Sequence, residues 1–179
     1  AMLNPIRNYQ FLVLTRQPAQ WQPLMHTEPF AVHCLAVESL TEPADLLPSA
    51  ANRWLIKLAS LAERRRSLSV QGPALLVIFD DLSAVSALSS EARQDLEWLI
   101  REGPLVRVRL AAALGLSEAE NLAGWVRLFG TRLVGSAGGA LAATPLLGDR
   151  FLRLKPGQYA VRVREEWLRF QAPSLPDEA

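Results

Sequence analysis

Asp80 and Asp81 stand directly after the apolar run Ala74-Leu75-Leu76-Val77-Ile78-Phe79. Two adjacent carboxylates delivered at the tip of a buried strand are residue types that can hold Mg²⁺ and, through it, phosphate oxygens. The complementary half of such a site is a loop of the form Gly-x-x-x-x-Gly-Lys-Ser/Thr, whose backbone N–H groups cradle phosphate, and the 179 residues contain none. Aspartate is also favoured wherever a strand gives way to a loop, so a plain turn stays open as the other reading of the pair.

Other chemistry-bearing residues are sparse. His26, His33 and Cys34 are the only histidines and cysteine, and two ligands on a strand with one on a loop do not complete a zinc tetrahedron. His33 and Cys34 are neighbours on an expected strand, so their side chains point to opposite faces and make no catalytic couple. A lone cysteine excludes an intrachain disulfide and suits a reducing compartment. The loop Gly135-Ser136-Ala137-Gly138-Gly139 lacks a lysine and follows a late strand, so it reads as a flexible connector. Trp21, Trp54, Trp98, Trp125 and Trp167 are spread over different elements, as packing residues are, not as a base-stacking platform. Of the arginines, Arg64, Arg65, Arg66, Arg101, Arg107, Arg109, Arg127 and Arg132 draw attention, although arginines at helix ends are usually solvated.

The elements that must position these residues follow from composition and periodicity. Half of the residues are hydrophobic, 21% are charged, and 19 Lys plus Arg against 18 Asp plus Glu leave a net charge of +1. One domain over residues 1–179 is expected, with 1–10 and 173–179 as poorly ordered tails, and there is no global basic field for nucleic acid. No apolar stretch reaches the roughly 20 residues of a membrane span, which implies a cytoplasmic chain without membrane contact. Ala1 before Met2 reads as a scar of tag removal, so a longer parent is expected.

Phe11 to Leu14 and Ala31 to Val37 read as short strands. Beyond a loop marked by Pro43 and Pro48, the spacing of Ala51, Trp54, Leu55, Leu58, Leu61 and Ala62 predicts a helix, capped by Ser49 and closed by Glu63-Arg64-Arg65-Arg66. The run before Asp80 is apolar enough to be a central parallel strand covered on both faces. Ser90 opens a helix carrying Ala92, Leu96, Leu99 and Ile100 that Gly103-Pro104 ends, and Leu105 to Leu110 alternates apolar and charged as a strand covered on one face. Ser117-Glu118-Ala119-Glu120 matches a capping box, predicting a helix with Leu122, Val126 and Phe129 inward. Thr131 to Val134 is a strand. A hairpin follows, from Phe151-Leu152-Arg153-Leu154 through Lys155-Pro156-Gly157-Gln158 to Tyr159–Val163, extended by a strand around Trp167 to Phe170. Strands alternating with helices give an α/β three-layer sandwich with a mostly parallel sheet and an antiparallel hairpin at the C-terminal end.

Several segments share an order with a known family. Phe11 to Gln17, Pro29 to Val37 and Trp54 to Arg65, ending in Leu61-Ala62-Glu63-Arg64-Arg65, precede the acidic pair. Ala92 to Glu102, Gly103 to Leu114, Thr131-Arg132-Leu133-Val134 and Leu154-Lys155-Pro156-Gly157 follow it. Over about residues 11 to 172 this pattern resembles the RecA-like, P-loop-type motor domain of the FtsK/SpoIIIE family of DNA-pumping ATPases and, more loosely, the HerA family. The resemblance implies that Asp80 and Asp81 are the Walker B pair, both touching the nucleotide cofactor, with Asp80 the Mg²⁺ ligand and Asp81 a vestigial catalytic acid. It also implies ring-forming partner subunits, whose arginines reach a neighbour's nucleotide, and DNA as a possible partner.

The same comparison exposes three departures. The Walker A loop, its strand and its helix would lie before Phe11; the second acid is Asp81, a methylene shorter than glutamate; and Ala111-Ala112-Ala113-Leu114 replaces the polar sensor Ala-Thr-Gln-Arg. Phosphoryl transfer is mostly positioning and charge neutralisation, so without the cradle and its lysine the chain alone is expected to bind no ATP/Mg and to hydrolyse none. The expected function is a non-catalytic interaction or scaffolding module of a larger assembly. The alternative is the C-terminal part of an active DNA or protein translocase whose Walker A segment lies outside these residues. A receiver-like domain with Asp80 or Asp81 as phosphoacceptor is disfavoured, because Leu14-Thr15-Arg16 supplies no acidic pair on the first strand.

Overall fold

The computed structural model describes residues 9–28, 30–40, 49–69, 72–135, 154–163 and 166–171. Contacts divide the chain into two compact units, 1–114 and 115–179. The first is built on four parallel strands, β1 (Tyr9–Thr15), β2 (Cys34–Ser39), β3 (Ala74–Phe79) and β4 (Val108–Ala112), in the order β2-β1-β3-β4. The chain steps one way from β1 to β2 and the other way from β2 to β3 and on to β4. Right-handed crossovers therefore place α1 (Pro18–Met25) and α2 (Phe30–His33) on one face and α3 (Ala50–Leu68) and α4 (Ser90–Glu102) on the other. On the first face the Phe11 ring stacks on Phe30 at 5.4 Å, and Trp21 lies 6.2 Å from the same ring. The α/β layering read from the sequence is the layering found.

Apolar burial sets each element in place. Leu12, Val13 and Leu14 of β1 and Val77 and Phe79 of β3 are completely buried, as interior strands under two helical layers must be. In α3 the buried residues Ala51, Leu55, Leu58 and Ala62 repeat at helical spacing, and Ser49 caps the start by accepting from the Asn52 N–H at 3.3 Å. Asn52 is itself buried, and its Oδ1 accepts from the backbone N–H of Ser89 at 3.1 Å. Ser89 in turn caps α4 through the Ala92 N–H. One side-chain amide thus ties the starts of the two helices together.

Three boundaries differ from the sequence expectation. Residues 31–33 belong to a helical turn, not a strand: Ala31 N–H donates to Thr27 O at 3.0 Å, and the turn carries Phe30 onto Phe11, so β2 begins only at Cys34. The strand expected from Leu105 begins at Val108, because Gly103–Val106 continues α4 as a 3₁₀ turn with Pro104 in its first turn, ended by Arg107 in left-handed backbone. Within β4 the anticipated alternation holds, with Val108 buried and Arg109 exposed. Tyr9 and Gln10, expected in a loose tail, are paired in β1.

In the second unit, β5 (Arg132–Gly135), β6 (Gln158–Val163) and β7 (Glu166–Gln171) form a separate antiparallel sheet in that order. Its small core is Val134 and Ala160 packed with Leu116, Leu154 and Trp167. The Ser117 capping box launches no long helix: Leu116–Glu118 is a 3₁₀ turn, and α5 is only Ala123–Val126, with Val126 buried, in a stretch weakened by Asn121 and Gly124. Gly135 is a strand residue; a Cβ there would stand 3.1 Å from the Tyr159 ring. The remainder of the glycine loop, the Pro43–Pro48 connection, the first hairpin arm Phe151–Arg153 and the tails 1–8 and 172–179 lie outside the described residues.

Replacing Asn52 by alanine strands the Ser89 N–H and is expected to lower unfolding free energy by about 1–3 kcal/mol in urea titration. Phe79→Ala, which empties a fully buried ring site, should cost roughly 3–5 kcal/mol in the same measurement.

Candidate functional site

Where a parallel sheet sends successive connections to opposite faces, a crevice opens at the carboxyl ends of the strands. Here that point lies between β1 and β3, whose register pairs Leu14 with Phe79. The next residues are Thr15 on one side and Asp80 on the other. Asp80 prolongs the ladder, its N–H donating to Leu14 O at 2.9 Å. The acidic pair thus occupies the carboxyl edge of an interior parallel strand.

Asp80 is held from above and beside. Thr15, fully buried, donates its hydroxyl to Asp80 Oδ2 at 2.7 Å, and Trp21 Nε1, from α1, donates to the same oxygen at 3.3 Å. The Thr15 hydroxyl also accepts from the Gln17 N–H at 3.0 Å, which turns the chain into α1. Asp81 is engaged through both oxygens. Its Oδ1 accepts from the Ser83 N–H at 2.8 Å and caps the 3₁₀ segment Leu82–Ala87, while Oδ2 pairs with Arg16 Nε at 2.8 Å. Arg16 reaches further to Ser83 Oγ at 3.0 Å. Of the four carboxylate oxygens, only Asp80 Oδ1 lacks a partner among the described residues.

The cationic Arg16 guanidinium neutralises Asp81, so Asp80 Oδ1 is the carboxylate oxygen left to a Mg²⁺ ion, which binds through one or two carboxylates beside water and phosphate oxygens. Among the described residues no three His, Cys, Asp or Glu side chains converge as metal ligands.

Sequence reasoning places none of Thr15, Arg16, Trp21 and Ser83 at this site: it reads Trp21 as a packing residue, and Thr15 and Arg16 only as lacking an acidic pair. A polar pair at the end of the strand neighbouring an acidic pair is the signal that could have found Thr15 and Arg16. The other candidates do not join the site. His33 closes α2 and Cys34 opens β2, and the Cys34 thiol is pushed up by burial, the wrong direction for a nucleophile. Arg101 pairs with Glu97 one helical turn away, and Arg132 donates to Phe129 O. Trp54 donates to Glu38 at 3.2 Å and carries Lys57 over its ring, while Trp167 packs in the second unit's core.

No protein-family model and no curated protein sequence matches this chain. Solved structures do. The cytoplasmic domain of the Thermomonospora curvata type VII secretion ATPase EccC superposes with a TM-score of 0.64 at 16% identity, over 96% of this chain and 22% of that one. EssC ATPases 2 and 3 from Geobacillus thermodenitrificans give 0.60 at 11% identity, over 90% and 33%. The cytoplasmic domain of EssC gives 0.54 at 12%, over 92% and 33%. The chain therefore spans between about a fifth and a third of these proteins. At such identities the likeness is one of fold, and the fold is the RecA-like motor type that the resemblance to FtsK/SpoIIIE domains implied.

Proposed function

We propose that this chain is a motor-type domain that turns over no ATP by itself and serves as an interaction or scaffolding module within a larger assembly. The observation that carries this reading is the Arg16–Asp81 ion pair beside the Thr15–Asp80 hydrogen bond. In a working site the acidic pair faces metal and water; here three of its four oxygens are tied to the chain's own donors. The replacement of a polar sensor by Ala111-Ala112-Ala113 at the end of β4 and the lack of a Gly-x-x-x-x-Gly-Lys-Ser/Thr loop in these 179 residues point the same way. Because the structural neighbours are secretion ATPases, a protein-secretion assembly is the favoured setting, and DNA is the less favoured partner.

The second reading is that the chain is one segment of a working translocase. It is supported by the fraction of the neighbours that this chain spans, 22–33%. The two diverge on one point: a translocase parent must carry a phosphate-binding loop upstream of Met2 that reaches Asp80.

Titration calorimetry of this chain with ATP and Mg²⁺ is expected to show no saturable heat; a micromolar signal that depends on the γ-phosphate overturns the proposal. A second expectation concerns Asp80. Metal-site carboxylates repel one another without their ion, so removing one stabilises a true site. Here Asp80→Ala removes the acceptor of the buried Thr15 hydroxyl and of Trp21 Nε1 and should lower unfolding free energy by about 1–3 kcal/mol, whereas Arg16→Ala, breaking a pair 45% and 30% exposed, should cost less than about 1 kcal/mol. Stabilisation by Asp80→Ala counts against the structural role.

A further inference from the structure

At the opposite edge of the parallel sheet, β3 starts just after Pro73 and β4 just after Arg107, and a cleft of about 380 Å³ opens there between the last turns of α3 and α4. Its lining sets three guanidiniums, of Arg65, Arg66 and Arg107, against one carboxylate, Glu102. Arg65 has structural work: Nη1 donates to Val106 O at 3.1 Å and Nη2 to Pro73 O at 2.9 Å. Arg66 reaches Glu102 at 3.4 Å. The Arg107 side chain makes no hydrogen bond or ion pair among the described residues and stands close enough to Arg65 to add its repulsion to burial, so that the Arg65 guanidinium is held below its ordinary pKa.

The backbone adds an independent sign. Among the described residues only two that are not glycine have positive φ, Ser69 at 51° and Arg107 at 63°, and both line this cleft. Each ends a helical segment, a place where glycine costs least, and left-handed backbone costs an L-residue about 1–2 kcal/mol. Arg65 and Arg66 are explained by what they touch. Arg107 is exposed, has no side-chain partner among the described residues and stands beside a like charge. The repulsion between neighbouring guanidiniums in a cleft is what a bound anion relieves.

We propose that this cleft binds a phosphate dianion, held by Arg107 with Arg65 and Arg66, on the face of the domain opposite Asp80. Charge selects the class. Three guanidiniums less Glu102 leave an excess of two positive charges, which a phosphate group carrying about −1.5 to −2 at pH 7 balances and a single carboxylate does not. The guanidinium fork suits phosphate oxygens in pairs. The volume is that of a small-molecule site, and the half-buried Trp98 indole, one turn from Glu102, offers a flat face to a ring carried on the phosphate. Free phosphate and a ring-bearing phosphate monoester share this chemistry.

The test is titration calorimetry of the full chain with inorganic phosphate and with phenyl phosphate, at constant ionic strength against chloride. Saturable binding is expected, weakened about tenfold or more in Arg107→Asn. Asparagine tolerates left-handed backbone, so the melting temperature should hold or rise; Arg107→Gly, free of the strain, repeats the test should asparagine disturb folding. Trp98→Leu separates the sources: a loss confined to phenyl phosphate assigns a ring-bearing ester, and equal affinity for both probes in the unsubstituted chain assigns free phosphate. Absence of saturable binding with either probe, or undiminished binding in both Arg107 variants, overturns the proposal.

Discussion

The hydrogen bond from the Thr15 hydroxyl to Asp80 Oδ2, 2.7 Å long and buried on the threonine side, is the contact on which the carboxyl edge of the sheet depends. It joins residues 65 positions apart, and it is charge-assisted, so it belongs to the class worth about 1.5–3 kcal/mol. Its placement is a matter of register. With Leu14 opposite Phe79, the residues that follow meet as Thr15 with Asp80 and Arg16 with Asp81, a polar pair against an acidic pair. A slip of one residue would bring Leu14 or Arg16 against Asp80 and break the Thr15–Asp80 hydrogen bond. Because β1 is apolar on both faces, the polar edge is what singles out this register.

From that register the chemistry of the site follows. A carboxylate doublet at a strand tip is unstable alone, because adjacent like charges repel and are partly removed from water. Two remedies exist: a divalent cation, or donors supplied by the chain. The chain supplies the second on three of the four oxygens, with a hydroxyl, an indole N–H, a backbone N–H and a guanidinium. These donors also carry local structure. Asp81 starts the 3₁₀ segment, and the Thr15 hydroxyl starts the turn into α1. The acidic pair has become part of the framework that surrounds it.

What could be read from sequence divides along physical lines. The strand at Ala74–Phe79 and the helices from Ala50 and Ser90 were legible because long apolar periodicity agrees with a cap at Ser49 and a helix start at Ser90, although the cap of the second helix is Ser89. The start of β2 was not, since the helical turn at Phe30 exists to seat its ring on Phe11, a tertiary contact that no local pattern encodes. Arg107 ended the turn before β4 in a conformation that favours glycine, so the usual punctuation was missing. Likewise the helix expected after Ser117 carried a valid capping pattern but too weak an interior to propagate. The position of Asp80 and Asp81 could be foreseen from the run before them. Their partners could not, because naming Thr15 and Arg16 requires the pairing of strands far apart in the chain.

The two edges of the parallel sheet carry opposite electrostatic situations. At the carboxyl edge, Arg16 matches the charge of Asp81, while Asp80 is held by neutral donors, the Thr15 hydroxyl and the Trp21 indole. At the amino edge, the last carbonyls of α3 and of the 3₁₀ turn bring partial negative charge, Arg65 answers part of it through Val106 O, and Arg107 remains beyond what the framework uses. A sheet buried between two helical layers keeps its shape whichever edge is active, since its stability rests on Leu12, Leu14, Val77, Phe79 and their neighbours and not on either rim. Selection for binding can therefore move from one rim to the other without disturbing the core.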